Sequence, residues 1–168
     1  MSRFLGVFCP DGSVPPGVAP ENRDTPPAPQ GHGSHPGAVA PVVWVTGEPR
    51  WPEAGDAALP AADRVAAAYR RHGPALFASA RGHYAVAIAD PAARRLLLAV
   101  DRMGVGTLAF ATTRDGSVVF GSHVGEVAGH AAVRASLRPQ ALFDFMYFHM
   151  VPAPDSAWDG VAKLRRGH

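Results

Sequence analysis

A chain of 168 residues that is 47% hydrophobic and carries 18 glycines and 17 prolines suits one globular domain with many turns and at least one irregular stretch. Its formal net charge is only +2, and all but one of its 16 basic residues are arginines spread along the chain, Lys163 being the exception, so no basic face for nucleic acid is expected. A single cysteine, Cys9, excludes an internal disulfide, and no stretch approaches the roughly 18 apolar residues of a membrane span; a soluble, cytoplasmic protein is expected.

The opening run MSRFLGVF places Ser2 where removal of Met1 would expose it as an N-terminal nucleophile. In such a residue the α-amino group, titrating near pH 8, can take the hydroxyl proton. Ser is also a common second residue, so the rest of the chain has to decide. RFLGVF (3–8) predicts a first strand, broken by CPDGSVPPG. From Val14 to Pro41 the chain is dominated by Pro, Gly, Ala, Ser and His, which predicts a flexible insertion over 14–41. It holds His32 and His35, but the surrounding glycines and prolines forbid the helix that would align them, and no metal site is assigned.

VVWV (42–45) predicts a buried strand, and ALPAADRVAAAYRRHG (58–73) a helix with Leu59, Val65 and Tyr69 as its larger apolar residues and Gly73 as its stop. HYAVAIAD, RRLLLAVD, TLAFATT and SVVFGS then follow at close spacing with turns such as Asp90-Pro91 and Asp115-Gly116, the pattern of an antiparallel meander. LRPQALFDFMYFHM (137–150) predicts a second helix with Pro139 in its first turn and a stripe of Leu142, Phe143, Met146 and Tyr147 facing the core. Helices and strands in separate blocks imply an α+β layered fold. Asp101 and Arg102 are expected to organise a turn, His83, His123 and His149 to be surface or satisfied core residues, and Cys9 to be inert.

From Tyr69 onward the elements carry a longer text. YRRHGPALFASARGHYAVAIAD, LLLAVDRMGVGTLAFATTRDGSVVFGSHVGEVAG and VPAPDSAWDGVAKLRRGH resemble the N-terminal glutaminase domain of asparagine synthetases, a class II glutamine amidotransferase. Gly82, Asp90, Asp101, Arg102, Gly104, Phe120, Pro152, Pro154, Gly160, Lys163 and His168 stand on that pattern, and MSRFLGVF falls on the family's opening M-C-G-I-x-G-x-F. The resemblance implies an α+β N-terminal nucleophile (Ntn) hydrolase-like layered sandwich of antiparallel sheets and helices, here shortened.

The same resemblance allows the site to be compared position by position. Ser2 replaces the family's nucleophilic Cys, and a hydroxyl needs a better base and oxyanion hole than a thiol. The family's N-G-E-I-Y-N loop reads VTGEPRW, so Thr46 takes the place of the Asn that donates to the oxyanion, with Gly47 and Glu48 kept. Losing such a donor costs on the order of a hundredfold in rate. The substrate-binding Asp aligns with Ala61, and the Pro-rich insertion occupies the stretch that would supply the carboxylate-binding Arg.

The resemblance thus implies a degenerate glutaminase-like domain spanning 1–168, without cofactor, nucleic acid or membrane, serving an ATP-dependent synthetase domain or subunit of asparagine synthetase type. KLRRGH falls where that family hands over to its synthetase half, whose S-G-G-x-D-S pyrophosphate loop does not occur among these residues. The resemblance includes relatives that use a substrate's own amine, the β-lactam synthetases and lasso-peptide cyclases. Val151 and Trp158 are expected on the docking surface. Two alternatives stay open: a functional glutamine-hydrolysing component with Ser2 as nucleophile, and a free-standing module binding a peptide or amino acid.

Overall fold

The computed structural model describes residues 3–15, 40–52 and 59–168. Ser2, the His32 and His35 pair and most of the 14–41 stretch lie outside the described residues.

Nine strands and three helices follow in chain order among the described residues: β1 Leu5–Phe8, β2 Val42–Gly47, α1 Ala61–His72, a 3₁₀ segment Gly73–Ala78, β3 Tyr84–Asp90, β4 Arg95–Val100, β5 Ala109–Thr112, β6 Val118–Gly121, α2 Val124–Ala128, β7 Ser136–Leu137, α3 Pro139–Phe148, β8 Trp158–Asp159 and β9 Ala162–Lys163. One sheet has the order β2-β3-β4 and a second β1-β6-β5-β9, with β7 and β8 forming a separate small pair. Every pairing is antiparallel. The expected α+β layering of sheets and helices is what the chain forms.

The layers follow from alternation along β3. Successive side chains of a strand point to opposite faces. Val86 and Ile88 therefore join Val65, Ala68 and Tyr69 of α1 and Leu76 of the 3₁₀ turn in one apolar cluster. Ala85, Ala87 and Ala89 face the other way, into a second cluster with Trp44, Phe4, Phe8, Leu108 and Phe120 between the two sheets. A third cluster lies on the far face of the second sheet, where Val7, Ala111, Val119 and Val161 meet Val127 of α2. The order is helix, sheet, sheet, helix. Small alanines on β3 leave room for the large aromatics opposite, and Phe120 meets Trp44 edge-on at 5.1 Å between ring centroids.

Four sequence-based expectations need correction. The meander is not continuous: β3 pairs with β4 and β5 with β6, but the two hairpins belong to different sheets, and the chain crosses between them at Asp101–Gly106. The apolar stripe of α3 is not core. Leu142, Phe143, Met146 and Tyr147 are exposed, Phe143 at 64% and Met146 at 80%, and only Ala141 of that helix is buried. Periodicity gave the helix, but among the described residues no layer lies over that face. Leu59 likewise precedes α1 and is exposed, whereas Val65 and Tyr69 are buried as expected. The expected docking pair is also no exposed patch, because Trp158 is half-buried against the third cluster and Val151 is half-buried.

Gly73 ends α1 at φ 56°, its N–H donating to the Tyr69 carbonyl, and the chain then continues into the 3₁₀ turn. His83, His123 and His149 are exposed.

Candidate functional site

The segment after β2 does not leave the sheet. Register pairing runs from Val42 opposite Ala89 to Gly47 opposite Tyr84. It then continues through Glu48 N–H to the His83 carbonyl at 2.8 Å and the mutual bonds of Arg50 and Arg81 at 2.8 and 2.9 Å. Trp51 closes the segment by donating its indole N–H to the Leu76 carbonyl at 2.8 Å. Two glycines make this close run possible. A Cβ at Gly47 (φ 83°) would lie 2.3 Å from the His83 carbonyl oxygen, and one at Gly82 (φ 90°) 2.3 Å from that of Glu48.

Thr46 stands opposite Ala85 and is half-buried, as is Gly47, while Glu48 is exposed. The Glu48 carboxylate pairs with Arg64 of α1 at 2.5 Å. Arg64 is largely covered, and its Nε is buried without a hydrogen-bond partner. This contact between the loop and α1 was missed in the sequence, where Arg64 is one of many arginines. Ala61, aligned with the substrate-binding Asp, is the first residue of α1, and its methyl group packs against the first apolar cluster.

The start of the described chain reaches the same end of the sandwich. Phe4 N–H donates to Ser122 Oγ at 3.0 Å, and Ser122 N–H to the Phe4 carbonyl at 3.0 Å. Thr107 Oγ1 donates to the Ser122 carbonyl at 2.9 Å. Its neighbour Gly106 lies so close to the Tyr84 carbonyl that a Cβ there would be 2.0 Å away. A chain of direct contacts thus runs from Gly47 through Tyr84, Gly106 and Ser122 to Phe4, two residues after Ser2.

Asp101 holds this end together from inside. It is 2% exposed and accepts backbone N–H bonds from Tyr84 at 3.3 Å, Met103 at 2.9 Å, Val105 at 3.2 Å and Gly106 at 2.6 Å. Burial pushes its carboxyl upward, but those four donors outweigh it and hold the group below its ordinary range. Arg102 donates to the Ala78 carbonyl at 3.2 Å. Asp101 organises a turn, as the sequence predicts, but the turn carries the chain from one sheet to the other rather than along a meander. Burial, and then the Asp101 charge, raise the Tyr84 phenol.

Cys9 is a free thiol. Among the described residues no group of three His, Cys, Asp or Glu could hold a metal, and no helix is long and apolar enough to cross a membrane.

Two antiparallel sheets stacked between helices, with the loop after β2 and the start of the chain gathered at one end, define a glutaminase-type domain. The glutamine amidotransferase domain family matches residues 61–168, more than half of the chain, and the protein belongs to that family. The match begins at Ala61, so Ser2, Thr46, Gly47 and Glu48 precede it. No curated protein matches the chain.

Proposed function

We propose that this domain no longer hydrolyses glutamine and serves as a scaffold for an ATP-dependent synthetase partner of asparagine synthetase type, either a separate subunit or a further part of the same polypeptide. The unit is taken as 1–168 with the Pro-rich insertion at 14–41, acting in the cytoplasm. The observation that carries this reading is Ala61. Where the resemblance calls for a carboxylate to hold the substrate's amino group, the half-buried methyl group of Ala61, the first residue of α1, packs against the core. A methyl group carries no charge and cannot be an ion-pair partner.

Thr46 adds to this. Its hydroxyl is shorter than an Asn amide, and an oxyanion donor has to sit within about 3 Å of the developing charge. Ser2 lacks the thiolate chemistry of the family's Cys. Glu48 and Gly47, which the family keeps, have structural work here in the ion pair with Arg64 and the close approach to His83. The apolar face of α3 supports a docking role, since Phe143, Met146 and Tyr147 would be covered by a partner. In this reading the partner forms an amide with a substrate's own amine, as in β-lactam synthetases and lasso-peptide cyclases.

The test is incubation of the purified protein with glutamine, following ammonia release and labelling by a glutamine-analogue affinity reagent, with intact mass to establish whether Met1 is removed. Wild type and Ser2→Ala should release ammonia equally, at background. Steady release by wild type that is abolished in Ser2→Ala would overturn the reading and establish Ser2 as an N-terminal nucleophile.

A further inference from the structure

A cavity of about 630 Å³ opens beside the end of the sandwich described above. It shares Gly106, Thr107 and Ser122 with that end but takes in none of Thr46, Gly47 or Glu48. Its volume is in the range of small-molecule sites, about 300–1,000 Å³. Among the described residues three cationic side chains, Lys163, Arg165 and Arg166, line it together with His168, and no Asp or Glu does. Leu108 and Met150 supply apolar wall.

This concentration of charge stands out in a chain of net charge +2. Among the described residues none of the three cations forms an ion pair. The acidic group acting on Lys163 is Asp155, which is itself bonded to Arg138. Lys163 donates to the Val151 carbonyl, which leaves further N–H groups of its ammonium for a ligand. Burial lowers the Lys163 amine, the direction expected of a cation without a close counter-charge.

The walls are fixed by backbone bonds. Leu164 N–H donates to the Leu108 carbonyl and Val100 N–H to the His168 carbonyl, both at 2.8 Å. Gly167 N–H donates to the Asp101 carbonyl at 3.0 Å. Gly104, at φ 71°, lets its turn lie against Arg166, with 3.1 Å between its notional Cβ and the Arg166 Cβ. These bonds fix the backbone of the wall, and binding has to order only side chains, those of the exposed Arg165 and Arg166 among them.

We propose that this cavity binds a small organic phosphate, a phosphoryl group held by Lys163, Arg165 and Arg166 with its apolar body against Leu108 and Met150. A phosphate monoester carries close to two negative charges at neutral pH and three acceptor oxygens, so it matches three unpaired cations better than a carboxylate does. The site is independent of the proposed loss of glutamine hydrolysis.

The experiment is calorimetric titration of the protein with phenyl phosphate, inorganic phosphate and benzoate at low salt. Phenyl phosphate should saturate one site, bind more tightly than either of the others, and weaken as salt rises. Arg165→Ala/Arg166→Ala should weaken phenyl phosphate by about tenfold or more, while Arg114→Ala, at an exposed position not lining the cavity, should leave it unchanged. Circular dichroism would establish that the variants are folded. Absence of saturable phenyl phosphate binding, equal affinity for benzoate, or an unaltered affinity in the double arginine variant would each overturn the assignment.

Discussion

Gly47 and His83 are in backbone contact so close that no side chain fits between them: a Cβ at position 47 would lie 2.3 Å from the His83 carbonyl oxygen, and Gly47 has φ 83°. Gly73 also has a positive φ, 56°, but nothing lies within 4 Å of its notional Cβ. The pair separates conformational strain from collision. Gly73→Ala should cost about 1–2 kcal/mol, the strain of a left-handed non-glycine residue. Gly47→Ala should cost about 3 kcal/mol or more, because the backbone has to move as well. Urea unfolding of both variants would measure the difference, and equal midpoints would contradict it.

Asp101 should make stability depend on pH. Its folded carboxyl titrates below the ordinary value near 4. The stabilisation from its four N–H bonds is therefore fully present above about pH 4 and is lost as pH falls through the lower folded value. Asp101→Asn should cost about 2–3 kcal/mol at neutral pH and flatten the acid limb of the stability profile. Unfolding free energies measured between pH 2 and 7 would show this, about those limits being the span of carboxylate titration.

Phe120 and Gly6 are coupled through space. A Cβ at Gly6 would sit 2.3 Å from Phe120 Cζ, and the ring is wedged by Trp44 at 5.1 Å and Phe4 at 6.5 Å. Gly6→Ala alone should cost about 2 kcal/mol by overpacking. Phe120→Ala alone should cost about 3–5 kcal/mol by leaving a void. Combined, they should cost less than the sum, since the new methyl group enters vacated space. A double-mutant cycle in denaturant reads the coupling directly.

On α3 the expectation is the reverse of what its sequence suggests. Phe143→Ser/Met146→Ser should change unfolding free energy by no more than about 0.5 kcal/mol, because both side chains are already in solvent. The variant should be more soluble than wild type. A large loss of thermal stability would mean that these residues pack inside the domain.

Much of the fold was legible because local pattern and burial agree. YAVAIA (84–89) is buried on both faces and free of charged residues, and Asp115-Gly116 marks the turn of the β5–β6 hairpin. The break in the meander was not legible. A short Gly-rich link after Asp101 is as suitable for a hairpin as for a crossing, and the Asp101 carboxylate that gathers its N–H groups also accepts the Tyr84 N–H, a contact that only the folded chain brings together. The exposure of α3 was hidden for a related reason: a 3.6-residue period gives the direction of a face but not what lies opposite. At the candidate site the sequence pointed to Thr46, Gly47 and Glu48, while Arg64 depended on α1 docking beside the loop.

The buried position of Asp101 also bears on how such a domain can change its occupation over time. Its carboxylate fastens the crossing from beneath, and neither Thr46 nor Ala61 takes part in that fastening. Substitutions at those two positions can therefore accumulate without loosening the crossing. Under the proposed loss of glutamine hydrolysis, a domain built this way keeps its outline after its reactive groups have gone.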